Sequence, residues 1–210
     1  MTARIAVLLG AVGIAGALAG LVARLFADPP APAGAPPAGP PPTLAMGPVH
    51  AGHLVVVFSD YECSACALLE RESGPAVRAI AASGRLRVEV RHFPLRGHRR
   101  AARAAAAAVC AARQGAGWEM HGALLASAPR WRFGPPSLPW FLALADSLGL
   151  DAQAFAACVA DDAVAGLLAA DLALGRALGL IGVPAVFIDG APVPVRSPGA
   201  LVRRVQRVTR

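Results

Sequence analysis

The sequence predicts a mixed α/β domain in which a long helical block divides a small sheet into two parts. Three observations carry that prediction. Short apolar runs at His53–Phe58, Arg85–His92 and Ala185–Ile188 have the length and composition of strands. Between the second and third, from about 98 to 180, the chain is dominated by alanine and leucine, which favour helix. Finally, the first strand run gives way directly to a helical stretch at Cys63, the alternation expected of an α/β unit.

Taken in order, His53–Phe58 reads as a short buried strand, and Cys63 to about Ala82 as helix, with Gly74-Pro75 expected to kink or divide it. Arg85–His92 alternates polar and apolar residues, a second strand. Helices are then expected over Arg99–Arg113, Trp118–Ala126, Leu138–Leu148, Ala152–Val159 and Ala163–Leu180. Ala185–Ile188 is a third strand, and Asp189-Gly190 turns the chain into a fourth over Pro192–Val195. Ser197-Pro198 opens a closing helix, with Ser as the cap and Pro in the first turn. Leu201, Val202, Val205 and Val208 line one face of it. A βαβ half and a ββα half with helices between them resemble a thioredoxin-type domain carrying an inserted helical subdomain over about 98–180.

Apolar residues make up 56% of the chain and charged residues 16%, which excludes a disordered polar chain. The net charge of +7 would ordinarily point to an acidic partner. Here arginine is spread along the whole sequence without a single lysine, beside heavy use of Ala, Gly and Pro. That is a drift of composition rather than a basic patch, and no nucleic-acid partner is expected. The densest cluster, Arg96, Arg99, Arg100 and Arg103, falls at a helix start and reads as a solvated face.

Residues 1–27 decide the compartment. After Arg4 an unbroken apolar and small-residue run extends from Ile5 to Val22, just long enough to cross a bilayer and longer than most signal-peptide cores. Arg4 favours a cytoplasmic amino terminus, which exports everything downstream. An uncleaved single-pass anchor is favoured over a cleaved signal, and both put the main domain outside the cytoplasm. Residues 28–48, almost all Pro, Ala and Gly, read as an extended spacer reaching on the order of 60 Å at about 3.1 Å per residue. The folded domain, 49–210, is expected to begin near Val49.

Export changes how the four cysteines, 63, 66, 110 and 158, are read, because exported thiols meet an oxidising compartment. Cys63 and Cys66 stand three apart at a strand-to-helix junction. A structural zinc site wants a second close Cys or His pair, and the sequence offers none. A purely structural Cys63–Cys66 bridge would close too small a loop to restrain the unfolded chain much. At a helix amino terminus, unpaired amide N–H groups and the helix dipole favour a thiolate, the species that attacks disulfides. This makes Cys63 the expected nucleophile and Cys66 the resolving thiol. A copper-delivery role for the same thiols, and a peptide-binding module in which the pair is incidental, are the readings from other classes.

The segments FSDYECSAC, RHFPLRGHRRAARAAAAAVCAA, GWEMHGALL and LGLIGVPAVFIDG together resemble the DsbA-like thiol-disulfide oxidoreductases of exported bacterial proteins, over roughly residues 50–208. The resemblance implies that Pro184 is cis and lies beside the redox pair. It further implies that Val183 and Pro184 form the loop that docks substrate peptide, with Tyr61 contributing to that surface. Cys110 and Cys158, which by themselves read either as two buried thiols or as a bridge, are expected on this resemblance to form a non-catalytic disulfide pinning two helices. Trp118, Met120 and His121 match a recurrent family segment and read as core or rim packing.

The same resemblance implies exchange of disulfides with exported proteins, most simply as a disulfide-forming oxidase regenerated by a quinone-linked membrane partner of the DsbB or VKOR type. No small-molecule cofactor and no metal are expected. A membrane-tethered thiol reductant of the cytochrome c maturation type is the alternative within enzymes. Three departures bear on the direction of exchange. The intervening dipeptide is Ser64-Ala65 where many such oxidases carry Pro-His or Pro-Tyr. Glu62 stands immediately before the nucleophile, and Val57 occupies the place of a frequent buried acid.

Overall fold

The computed structural model describes residues 40–133, 137–195 and 197–210. The expected anchor, 1–27, and the spacer up to residue 39 lie outside the described residues. Among those described, no helix is long and apolar enough to cross a membrane. The elements in chain order are β1 (Leu44–Met46), β2 (Leu54–Ser59), α1 (Ser64–Ala82), β3 (Arg87–His92), α2 (Ala101–Arg113), α3 (Gly117–Trp131), α4 (Ser137–Ser147), α5 (Ala152–Val159), α6 (Asp162–Ala177), β4 (Ala185–Ile188), β5 (Ala191–Val193) and α7 (Pro198–Val208).

The five strands form one sheet in the order β1-β3-β2-β4-β5. The valine-rich β2 lies at its centre, parallel to β3 and antiparallel to β4. Alternation along β2 gives the two faces different partners. Val55 and Val57 face a core shared with Leu69, Val77 and Ala81 of α1 and Leu201 and Val205 of α7. Val56 and Phe58 face the other way, onto Phe93, Phe187 and Leu178. Contact with α6 on that side is close: a Cβ on Gly175 would stand 2.5 Å from the Phe93 ring and 3.2 Å from Phe58. The sheet is therefore covered on both faces, as a parallel β2–β3 pair requires.

Two expectations need correction. The folded part does not begin at Val49, because β1 lies inside the stretch assigned to the spacer. It pairs antiparallel with β3, Leu44 is buried, and the Trp118 indole donates to the Ala45 carbonyl at 3.2 Å. Nor does Pro75 divide α1. Residues Arg71 and Pro75 both lie on the exposed side of the helix, so the carbonyl that loses its partner faces water. Nor does Pro129 end α3, which runs on to Trp131, well past Ala126. Asp189-Gly190 does form the β4–β5 turn, with positive φ at both residues (51° and 80°). Ser197 occupies the cap of α7 without making a side-chain cap bond.

The helical block, α2 to α6, packs around α2, whose side chains from Ala104 to Ala111 are almost all buried. Alanine permits this, since a helix with small side chains can be approached from several directions. Met120, Leu124, Trp131, Phe141 and Phe155 fill the space around it. Cys110 of α2 and Cys158 of α5, 48 positions apart in the chain, are joined by a disulfide, S–S 2.05 Å. This core is continuous with Tyr61 and Cys66, so the subdomain is built directly onto the Cys63 helix.

Candidate active site

The site begins where β2 ends. Ser59 closes the strand, Asp60 to Glu62 turn the chain, and Cys63 caps α1 with extended backbone (φ −77°, ψ 116°). Its sulfur takes the place of a capping oxygen: it accepts the Cys66 backbone N–H at 3.3 Å. Both cysteines are free thiols; Cys63 is half-buried and Cys66 is 2% exposed. Hydrogen bonding from the Cys66 thiol, and then from the backbone N–H groups of Cys66 and Ala65, lowers the Cys63 pKa to about 6 despite opposing burial and the charge of Asp60. Cys66 moves the opposite way, far above the ordinary thiol range, because it donates to Cys63 and is buried. The pair thus divides into one ionised, reachable sulfur and one protonated, shielded sulfur.

From the far end of the fold the loop before β4 meets this pair. The Val183–Pro184 peptide is cis. In its protonated form Cys63 Sγ donates to the Val183 carbonyl oxygen at 3.5 Å. Sequence-separated residues 63, 66, 183 and 184 are therefore brought to one place. Ile181, just upstream in the same loop, is 93% exposed.

Asp60 was not singled out from sequence, yet it holds the turn. Its carboxylate accepts the backbone N–H of Glu62 at 2.6 Å and of Leu95 at 2.7 Å, and lies 2.8 Å from His98 Nδ1. Glu62, immediately before the nucleophile in sequence, accepts the Arg100 backbone N–H just before α2. The acid whose charge reaches Cys63 is Asp60.

Tyr61 requires correction. Expected on the peptide surface, it is 1% exposed, because its hydroxyl finds a partner beneath the site: Tyr61 Oη and His121 Nδ1 are 2.9 Å apart. His121, 3% exposed on α3, presents Nε2 to Glu70 Oε2 at 3.6 Å. Glu70 also pairs with Arg78, and the Arg78 guanidinium lies 5.2 Å above the Trp118 ring. Burial alone would raise the Glu70 pKa; His121 and Arg78 outweigh it and hold the carboxyl below its usual value. His92, buried at the end of β3 with its ring 5.9 Å from that of Tyr61, is lowered to about 3 by burial and by the charges of His121 and Arg91, so it is neutral. Sequence reading missed Glu70; its one signal was an i, i+4 spacing from Cys66. Among the described residues no group of three or more His, Cys, Asp or Glu side chains stands in metal-binding range.

Residues 40–204 match the sequence family described as Thioredoxin. Two curated relatives are Na(+)/H(+) antiporters, NhaA 3 of Salinispora tropica and NhaA 1 of Salinispora arenicola, 38% and 37% identical over 146 residues. The match covers 69% of this chain but 21% of each relative, so the chain spans about a fifth of their length. Among solved structures, the thiol-disulfide oxidoreductase MdbA from Corynebacterium diphtheriae superposes with a TM-score of 0.67 at 21% identity, over 76% of this chain and 87% of that one. Wolbachia pipientis alpha-DsbA1 gives 0.69 at 20%, over 89% and 94%. A thioredoxin-like oxidoreductase from Silicibacter pomeroyi gives 0.62 at 26% identity, over 89% and 96%. These likenesses establish the fold, helical insertion included.

Proposed function

The chain belongs to the thioredoxin family, and from that premise we propose that it is a thiol-disulfide oxidoreductase acting on exported polypeptides through Cys63 and Cys66, in the disulfide-forming direction. One observation carries the reading: the low-pKa sulfur of Cys63 stands at a helix amino terminus, 3.5 Å from the Val183 carbonyl, with the high-pKa sulfur of Cys66 behind it. The reading rests on this site and not on the antiporter relatives, most of whose length lies outside the match.

In the oxidising direction the Cys63–Cys66 disulfide is attacked at Cys63 by a substrate thiolate. The Cys63–Cys66 bond breaks, a mixed disulfide forms at Cys63, and Cys66 leaves as a thiolate that takes up a proton. A second substrate thiolate attacks the substrate sulfur of the mixed disulfide. That step releases an oxidised substrate and leaves Cys63 as its stabilised thiolate, so two electrons pass to the pair, while one of the two substrate protons ends on Cys66 and the other goes to solvent. The low pKa of Cys63 favours this direction, since a good leaving thiolate makes its disulfide the stronger oxidant.

Substrate docks as an extended segment along the loop at Val183 and Pro184, where backbone groups and the exposed Ile181 side chain supply sequence-tolerant contacts. The apolar run at Ile5–Val22 supports a membrane-tethered, extracytoplasmic domain, and a quinone-linked membrane oxidase of the DsbB or VKOR type would return the pair to the disulfide. Mixing the oxidised protein with a reduced, unfolded ribonuclease tests the function. The reading expects one ribonuclease disulfide per protein and none with Cys63→Ser; equal ribonuclease oxidation with and without Cys63 would refute it.

A further inference from the structure

Arginine is spread along the whole chain, yet its partners divide it into two kinds. Arg71, Arg78, Arg87, Arg91 and Arg113 each pair with a carboxylate. Among the described residues, Arg203, Arg204 and Arg207 of α7 pair with none and stand exposed. From 190 to 210 the sequence holds no Asp or Glu. The last acid before that stretch, Asp189, is already engaged: it accepts the Leu54 backbone N–H and meets His53 Nδ1, both at 2.8 Å.

The fold gives these three arginines no internal task. Leu201 and Val205, on the apolar side of α7, are buried in the core shared with α1, which turns positions 203, 204 and 207 outward. Arg203 and Arg207 lie one turn apart and repel each other. Compensation of the helix dipole reaches only the last turn, so it accounts for Arg207 but not for Arg203 or Arg204. At that end the Arg85 guanidinium already donates to the Thr209 carbonyl at 3.4 Å.

Beside the arginines runs an open groove of about 380 Å³ between β5 and α7. Pro192, Val193 and Pro194 wall it on one side, and Arg203, Arg204 and Arg207 on the other. Three guanidiniums and no acid suit phosphate, because each offers a planar fork of N–H donors to its oxygens. The groove suits a polypeptide strand poorly. β5 is an edge strand, and the prolines at 192 and 194 remove backbone donors that an added strand would need.

We propose that the outer face of α7 and this groove dock on an anionic bilayer surface, with the headgroup phosphates of lipids such as phosphatidylglycerol as the ligands of Arg203, Arg204 and Arg207. Nearness to a bilayer rests on the tethering proposed above. The apolar run Ile5–Val22 ends 18 positions before Pro40, so even a fully extended chain keeps the domain within roughly 65 Å of it. Within that reach a weak electrostatic site meets lipid at high effective concentration. Each basic residue at an anionic surface strengthens binding about fivefold, so three give a preference of about a hundredfold over neutral lipid. Neither Cys63 nor Val183 lines the groove, so lipid there does not compete with substrate for the redox pair.

The test reconstitutes the full chain in nanodiscs of neutral phosphatidylcholine, or of phosphatidylcholine with about a quarter phosphatidylglycerol. Arginine modification by phenylglyoxal at low salt is then mapped by mass spectrometry. Arg203, Arg204 and Arg207 are expected to react at least about threefold more slowly on the anionic discs, whereas the exposed Arg99 and Arg103 react alike on both. Raising NaCl to about 0.5 M should abolish the difference. The variant Arg203→Gln, Arg204→Gln, Arg207→Gln is expected to keep its ribonuclease oxidation. It should lose the slower modification of Arg210 that wild type shows on anionic discs.

Equal modification of the three arginines on both discs would overturn the docking. So would equal protection of Arg99 and Arg103, which marks adsorption without a preferred face. Protection by soluble poly-glutamate on neutral discs, with none from anionic lipid, would overturn it in favour of an acidic polypeptide. Retention of the chain on neutral discs at high salt reports the tether separately. Loss there with protection on anionic discs at low salt defeats the tether and keeps the docking, whereas retention without protection defeats the docking alone.

Discussion

The sulfur of Cys63 stands 3.5 Å from the carbonyl oxygen of Val183, 120 positions later in the chain. The contact joins the end of β2 to the start of β4, neighbouring central strands of the sheet. Sheet order thus sets the site: the loops leaving β2 and entering β4 emerge at the same edge.

The Cys63 thiol is expected to ionise near pH 6. Iodoacetamide alkylation of the reduced protein should rise through pH 6 and level off by about pH 7.5, whereas an ordinary thiol continues to rise past pH 8. The lowered pKa also stabilises the reduced fold. That contribution is complete above the unfolded thiol value of about 8.5 and is lost as pH falls through about 6. Urea melts of the reduced protein at pH 5 and pH 8 check the sign, with solvent screening of the half-exposed sulfur moderating the size.

Asp60 carries two opposed effects. Its carboxylate ties Glu62, Leu95 and His98 together, and its charge works against the Cys63 thiolate. Asp60→Asn should cost about 2 kcal/mol of stability through lost charged hydrogen bonds. The same variant should move the Cys63 alkylation midpoint below that of wild type. A midpoint displaced upward would contradict the electrostatic account.

The Cys110–Cys158 bridge closes a loop of 48 positions within the helical block. In the chain-entropy picture its removal costs about 4 kcal/mol. The double variant Cys110→Ala, Cys158→Ala should melt at lower urea while its Cys63 alkylation profile stays in place.

Gly175→Ala should destabilise by about 1–3 kcal/mol although alanine is the better helix former. The new methyl would meet the Phe93 ring at 2.5 Å and force α6 away from the sheet. A neutral or stabilising result by thermal melting would show that α6 has freedom its packing does not display.

Much of the fold was legible because its signals are local. The valine run of β2, the alanine-rich α2 and the Asp189-Gly190 turn each declare themselves within a few residues. The three residues of β1 were not, since so short a strand shows no alternation and exists only through pairing with β3. Pro75 misled because its effect depends on which side of the helix meets water, a tertiary property. At the site, Cys63, Cys66 and Pro184 were marked by motif. Tyr61, Glu70 and His121 were not readable as a unit, because positions 61 and 70 meet 121 only after α3 docks on α1. Glu62 shows the same limit from the other direction: adjacent to Cys63 in sequence, its carboxylate turns away to Arg100.

The most direct measurement uses a Cys66→Ser variant, which lacks the thiol that would release a trapped substrate. Exposed to a reduced, unfolded polypeptide activated as a mixed disulfide, it is predicted to accumulate a covalent adduct that peptide mapping assigns to Cys63, with loss of the adduct on adding dithiothreitol. An absence of adduct, with Cys63 alkylated only after denaturation, would contradict the account.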